Sequence, residues 1–99
     1  MITRKIEDRD LMWNTLSPFK EWFPLALLHS LYNGMANGEV EYISINENTS
    51  PTKMRWDGTL RIHLNHNISA TNLVNKYISP SQADEISVEK DLTLRLWWD

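Results

Sequence analysis

Leu92-Thr93-Leu94-Arg95-Leu96-Trp97-Trp98-Asp99 alternates residue by residue in the manner of a β-strand. Successive side chains on a strand point to opposite faces, so Leu92, Leu94, Leu96 and Trp98 share one face while Thr93, Arg95 and Trp97 share the other. Extension of this stretch separates two neighbouring indoles, and one of them must leave the leucine side. An indole outside the core needs a second packed layer or a partner, and tryptophan is over-represented among residues that dominate binding energy.

Upstream of this strand, Ile86 and Val88 predict a short edge strand, followed by Glu89-Lys90-Asp91 as a turn or a solvated stretch. Ala70, Leu73, Val74, Tyr77 and Ile78 recur at helical spacing and predict an amphipathic helix over residues 70–78, capped by Asn67 or Ser69. Ser79-Pro80-Ser81-Gln82 has capping-box form, but too little apolar sequence follows for more than one turn. In Lys53–Leu64 the Asp57-Gly58 pair predicts a hairpin turn. A three-residue loop with left-handed Gly58 pairs Met54 with Leu60, leaves Lys53, Arg55, Arg61 and His63 on the outer face, and puts Trp56 at the tip.

Residues 39–47 form a strand in which the apolar parity shifts between Tyr42 and Ile43, the mark of a bulge or of burial on both faces. Before it, Leu25 to Ala36 has a wide apolar surface and a narrow polar stripe of His29, Asn33 and Asn37, predicting a core helix that starts at Pro24; Asn33-Gly34 and Asn37-Gly38 each offer a left-handed stop, and the second is favoured. A shorter helix covers residues 8–16, with Asp8 or Glu7 at its N-terminus and Pro18 beyond its end. Trp13, Trp22, Phe19 and Phe23 are assigned to packing between these helices. The order α-α-β-β-β-α-(β)-β predicts one α+β domain over residues 1–99: a mostly antiparallel sheet of four strands with helices on one face.

Composition narrows the function classes. A hydrophobic content of 41% in 99 residues suits one domain with one core. The net charge of −3 gives no global attraction to nucleic acid or to an anionic membrane. Charge is nonetheless uneven: residues 53–76 hold Lys53, Arg55, Arg61 and Lys76 against Asp57, whereas residues 84–99 hold five acids against Lys90 and Arg95. With no cysteine, no stretch of membrane-span length and no signal-like apolar run, a soluble cytoplasmic protein is expected.

No phosphate-binding glycine loop, dinucleotide fingerprint, zincin or nucleophile-elbow pattern occurs, so neither enzyme nor cofactor is expected. His63 and His66 face opposite ways on a strand, and with His29 they make no metal-ligand set. Asp57 is explained as a turn former, and Glu39 with Glu41 as a polar outer face set against Lys53, Arg55 or Arg61.

The expectation is therefore a non-enzymatic protein-binding module, of the size of small inhibitors, immunity proteins and phage-encoded antagonists. It would meet a larger protein through Trp56, Arg55, Arg61, Lys53, His63, Trp97 and Arg95. The alternative is a nucleic-acid-binding domain that grips phosphates with the basic outer face of residues 53–64 and stacks a base on Trp56. A homodimer formed through an edge strand is a further mode of association.

Overall fold

The computed structural model describes residues 2–19, 21–49 and 54–98, and the side chains of those outside 47–57. Strand β1 (Ile2–Ile6) leads into helix α1 (Arg9–Leu16), a 3-10 turn (Ser17–Phe19) and helix α2 (Leu25–Ala36). Strands β2 (Val40–Thr49) and β3 (Met54–Leu64) follow. Helix α3 begins as α-helix at Ala70–Leu73, widens to a π-helix at Val74–Ile78 and closes with a turn at Ser79–Ser81. Strands β4 (Glu85–Glu89) and β5 (Thr93–Trp97) complete an antiparallel sheet ordered β1-β2-β3-β5-β4. The α+β class and the one-sided helix layer hold.

Local chemistry explains the helices. The Asp8 carboxylate accepts from the Leu11 amide at 2.8 Å and caps α1, which buries Met12 and Leu16 one turn apart. Pro24 stands at the start of α2, where no amide is needed, and its carbonyl accepts from Leu27 and Leu28. Leu27, Leu28, Leu31 and Gly34 form the buried stripe of α2, narrower than its apolar sequence suggests, since Leu25 is 60% exposed. Left-handed Gly38 (φ +83°) follows the end of that helix. Ser69 caps α3, accepting from the Asn72 amide. The Ser79-Pro80-Ser81-Gln82 segment starts no new helix; it finishes α3, with Gln82 left-handed as the stop.

Two rows of side chains carry the sheet's core face. Strand register aligns Ile6, Ile43, Ile62 and Leu94 in one row and Ile45, Leu60 and Leu96 in the next, and all seven are buried against the helices. The parity shift in β2 is a bulge. Val40 pairs with Leu64 and Tyr42 with His63, so Glu41 is the extra residue that puts Val40 in the core and Tyr42 on the opposite face.

Two expectations fail. The chain enters the sheet at β1, which was not expected, making five strands among the described residues. Residues 54–64 are one strand and not a hairpin: Met54 pairs with Thr49 and Leu60 with Ile45, and Trp56 lies within the strand opposite Glu47, not at a tip. The β2–β3 connection falls at residues 50–53, outside the described residues. Gly58 is left-handed (φ +90°) as expected, but it serves an irregularity inside β3. Between the pairs Ile45–Leu60 and Glu47–Trp56, β3 spends two more residues than β2, and the Gly58 carbonyl turns to accept from the Trp98 amide at 2.9 Å.

Candidate interaction face

The strand parity of β5 decides where its two indoles go. Leu94, Leu96 and Trp98 are buried on the helix side, while Arg95 and Trp97 are half-buried on the other. Leu92 departs from the expected row: it is left-handed, lies in the turn before β5 and is 37% exposed. The Trp98 ring meets Phe23 edge to face at 5.3 Å, and its Nε1 donates to the Ser81 carbonyl.

Among the described residues, no element lies over the sheet face that bears Trp97. Register lays out that face as rows: Lys5, Ser44, Arg61, Arg95 and Ser87; Tyr42, His63, Thr93 and Glu89; Thr59, Trp97 and Glu85. Trp97 leans on Gly58, where any added Cβ would come within 3.3 Å of the indole nitrogen. Tyr42 and His63 stack face to face, 3.9 Å between centroids, and the Lys5 ammonium sits 4.2 Å from the Tyr42 ring centroid. A shallow depression of about 590 Å³ lies between Lys5, Tyr42, Arg61 and His63, with Ser44 among its lining residues.

His63 is held at both ring nitrogens: Nε2 lies 3.1 Å from the Ser44 hydroxyl and Nδ1 3.1 Å from the Thr93 hydroxyl. Burial, reinforced by the Arg61 charge, lowers its pKa below the ordinary 6.5, which favours the neutral ring. A neutral imidazole has one donor and one acceptor, and the two hydroxyls use both. The Ser44–His63 distance matches a nucleophile and its base, but a hydroxyl stands where a carboxylate would orient the ring, and Ser44 is only 6% exposed.

Two cations of this face, Arg61 and Lys5, have acidic neighbours. Arg61 bonds Glu89 through Nε at 2.9 Å, and Lys5 pairs with Glu7 at 2.9 Å. Glu39 and Glu41 do not form the shared outer surface expected of them. Glu41 is exposed in the bulge, whereas Glu39 accepts from the Tyr77 hydroxyl at 2.6 Å and pairs with Lys76. Burial, with the Glu39 carboxylate beside it, raises the Tyr77 pKa.

Of the residues singled out by sequence, Arg61, His63, Arg95 and Trp97 come together on this face. The side chains of Lys53, Arg55 and Trp56 lie outside the described residues. Lys5 and Tyr42 join the face unforeseen. His66 is exposed in the bend after β3 and His29 is on α2, so the three histidines do not converge; among the described residues no group of three or more potential ligands is placed to hold a metal.

A second cleft, about 610 Å³, opens between α1 and α2, lined by Asp10, Trp13, Asn14, His29, Tyr32 and Asn33. Trp13 meets the Tyr32 ring edge to face, and the Tyr32 hydroxyl donates to Asp10 at 3.2 Å. Its polar rim was legible as the His29–Asn33 stripe of α2 facing Asp10 and Asn14 of α1, four residues apart on their own helix. Phe19, assigned to packing by sequence, is 41% exposed, while Phe23 is in the core.

No protein-family model matches the sequence, and neither a curated protein nor a solved structure matches the chain. Among the described residues no helix is long and apolar enough to cross a membrane.

Proposed function

We propose that this chain is a non-enzymatic protein-binding module, an inhibitor, antagonist or immunity-type protein, that docks on a larger protein through the open face of its sheet. Trp97 is the anchor, with Arg61 and Arg95 in the next row of the face and Tyr42 and His63 in the row beyond. The observation that carries this reading is the one-sidedness of the helix layer: Trp97 is directed by strand parity onto a face that no described element covers. A half-buried indole, two arginines in the next row and a tyrosine–histidine stack in the row beyond have the composition of an interface hot spot. The cytoplasm is the compartment we propose, since a sequence with no cysteine needs no oxidising environment.

Affinity capture from host lysate tests the proposal, comparing the wild type with Trp97→Ala and Arg95→Ala. A partner retained by the wild type and lost by both variants, at unchanged circular dichroism, supports it. Equal capture by all three sinks it.

The Tyr42–His63 stack on an open sheet favours a second reading, single-stranded nucleic acid stacked on aromatic rings. Salt bridges from Lys5 and Arg61 to carboxylates, and a net charge of −3, weigh against it. Oligonucleotide affinity that falls by orders of magnitude between about 50 and 200 mM salt would favour the nucleic-acid reading.

A further inference from the structure

Strand β4 lies at the margin of the sheet, pairs among the described residues with β5 alone, and exposes all five of its residues. Its register continues the two core rows, with Val88 opposite Leu94 and Ile86 opposite Leu96. Both side chains therefore sit on the helix side of the sheet, yet Val88 is 66% and Ile86 43% exposed, because the helix layer stops short of them. On the opposite face β4 presents Glu85, Ser87 and Glu89, the last holding Arg61 through one carboxylate oxygen. An edge strand also directs alternate backbone amides and carbonyls away from the sheet, where they template another strand.

The sequence of β4 discriminates between occupants of that edge. Glu85-Ile86-Ser87-Val88-Glu89 reads alike in both directions with respect to charge and polarity, so two copies paired antiparallel about Ser87 would set Glu85 directly against Glu89 twice over. Like charges directly opposite destabilise a strand pair. A second copy is thus opposed by the same residues that would attract a basic strand.

We propose that the free edge of β4 is a strand-addition site for an extended basic segment of a partner protein. Its apolar residues would cover Ile86 and Val88 on the helix side, and its Lys or Arg residues would face Glu85 and Glu89 on the other. Backbone hydrogen bonds supply affinity in such additions and the alternating side chains supply selectivity. The site borders the face around Trp97, since Glu85 lies opposite Trp97 in register, but the backbone edge and Ile86 and Val88 lie outside that face and the proposal does not rest on its binding a partner.

The test is an NMR titration of the full chain, isotope-labelled, with two blocked peptides, Lys-Val-Thr-Val-Lys and Glu-Val-Thr-Val-Glu, taken to millimolar concentration. The expected result is amide shifts concentrated at residues 84–97 with the basic peptide, and binding of the acidic one weaker by about tenfold. Val88→Lys, at a position exposed enough to leave the fold intact, weakens the basic peptide, while Glu7→Gln, just after β1 at the opposite margin of the sheet, leaves it unchanged. Equal affinity for the two peptides, shifts confined to other surfaces, or no shifts with either peptide would overturn the proposal. So would a molecular mass that rises with concentration in the wild type and not in Val88→Lys, which would assign the edge to a second copy.

Discussion

The Trp98 indole donates its N–H to the Ser81 carbonyl at 2.9 Å, and so fastens the end of β5 to the last turn of α3. The Ser81 hydroxyl is committed in turn, donating to the Ile78 carbonyl at 2.6 Å and accepting from the Ala83 amide at 3.2 Å. One indole thus joins the sheet, the helix stop and, through Phe23, the approach to α2. Trp98→Ala is expected to cost about 3–5 kcal/mol of stability by urea denaturation. Trp98→Phe retains a ring against Phe23 but strands a buried carbonyl, costing about 1–3 kcal/mol.

Gly58 is held at φ +90° with the Trp98 carbonyl oxygen only 2.7 Å from where a Cβ would stand. That neighbour is backbone and cannot rotate aside. Gly58→Ala is expected to lower the urea midpoint by the equivalent of about 3 kcal/mol, the upper end of the range for a strained residue. Gly38→Ala, at φ +83° with nothing within 4 Å, costs only about 1 kcal/mol.

A methyl group at Gly34 would meet the Tyr77 hydroxyl at 2.5 Å and Val40 Cγ2 at 2.7 Å. Gly34→Ala therefore destabilises by overpacking, at about 1–3 kcal/mol. Tyr77→Phe alone also destabilises, by removing the hydrogen bond to Glu39. Because it deletes the clashing oxygen, the double variant is expected to be more stable than the sum of the single effects, with a coupling of at least about 0.5 kcal/mol. A double-mutant cycle in urea checks the sign.

His63 makes stability depend on pH. Its folded pKa lies below the ordinary 6.5, so above that value both states hold a neutral ring and its network is intact. As the pH falls below about 6.5 the unfolded chain takes up the proton first, and stability is lost until the lower folded pKa is reached. Thermal unfolding at pH 7.5 and pH 5 is expected to show a larger decrease for the wild type than for His63→Gln, which keeps a polar side chain and removes the titration. An equal decrease would assign the effect to other groups.

Trp97 and Trp98 are neighbours in sequence with opposite environments, the first half-buried on the open face and the second 6% exposed. Iodide quenching of tryptophan fluorescence is expected to lose part of its accessible fraction in Trp97→Phe and to keep it in Trp98→Phe.

How far the sequence could be read depended on whether a signal had one physical use or two. Asp8 and Ser69, each one of two candidate caps, Pro24 and Gly38 act only as caps, starts and stops, and the structure uses all four, although α3 runs past its expected end through Ser79–Ser81. The alternation in β5 placed Leu94, Leu96 and Trp98 inside and Arg95 and Trp97 outside. Asp57-Gly58 was ambiguous because a left-handed glycine serves a hairpin turn and a bulge equally well, and only the register with Ile45 and Glu47 distinguishes them. Strand β1 escaped notice because Arg4 occupies the inner-row position opposite Ile45, which breaks the apolar alternation. The candidate face was half legible. Arg61, His63, Arg95 and Trp97 follow from parity, but Tyr42 reaches it only because Glu41 is an extra residue, and Lys5 only through the unforeseen strand.

The position of β5 between β3 and β4 also governs the order in which the domain is assembled. A nascent chain that has grown only as far as Glu89 has no ladder for β4 to join, and Leu60 and Ile62 of β3 lack the neighbours that Leu96 and Leu94 later provide. Closure of the sheet waits until residues 93–97 clear the ribosome. The edge offered by β4 comes into being only once β5 has emerged to pair with it.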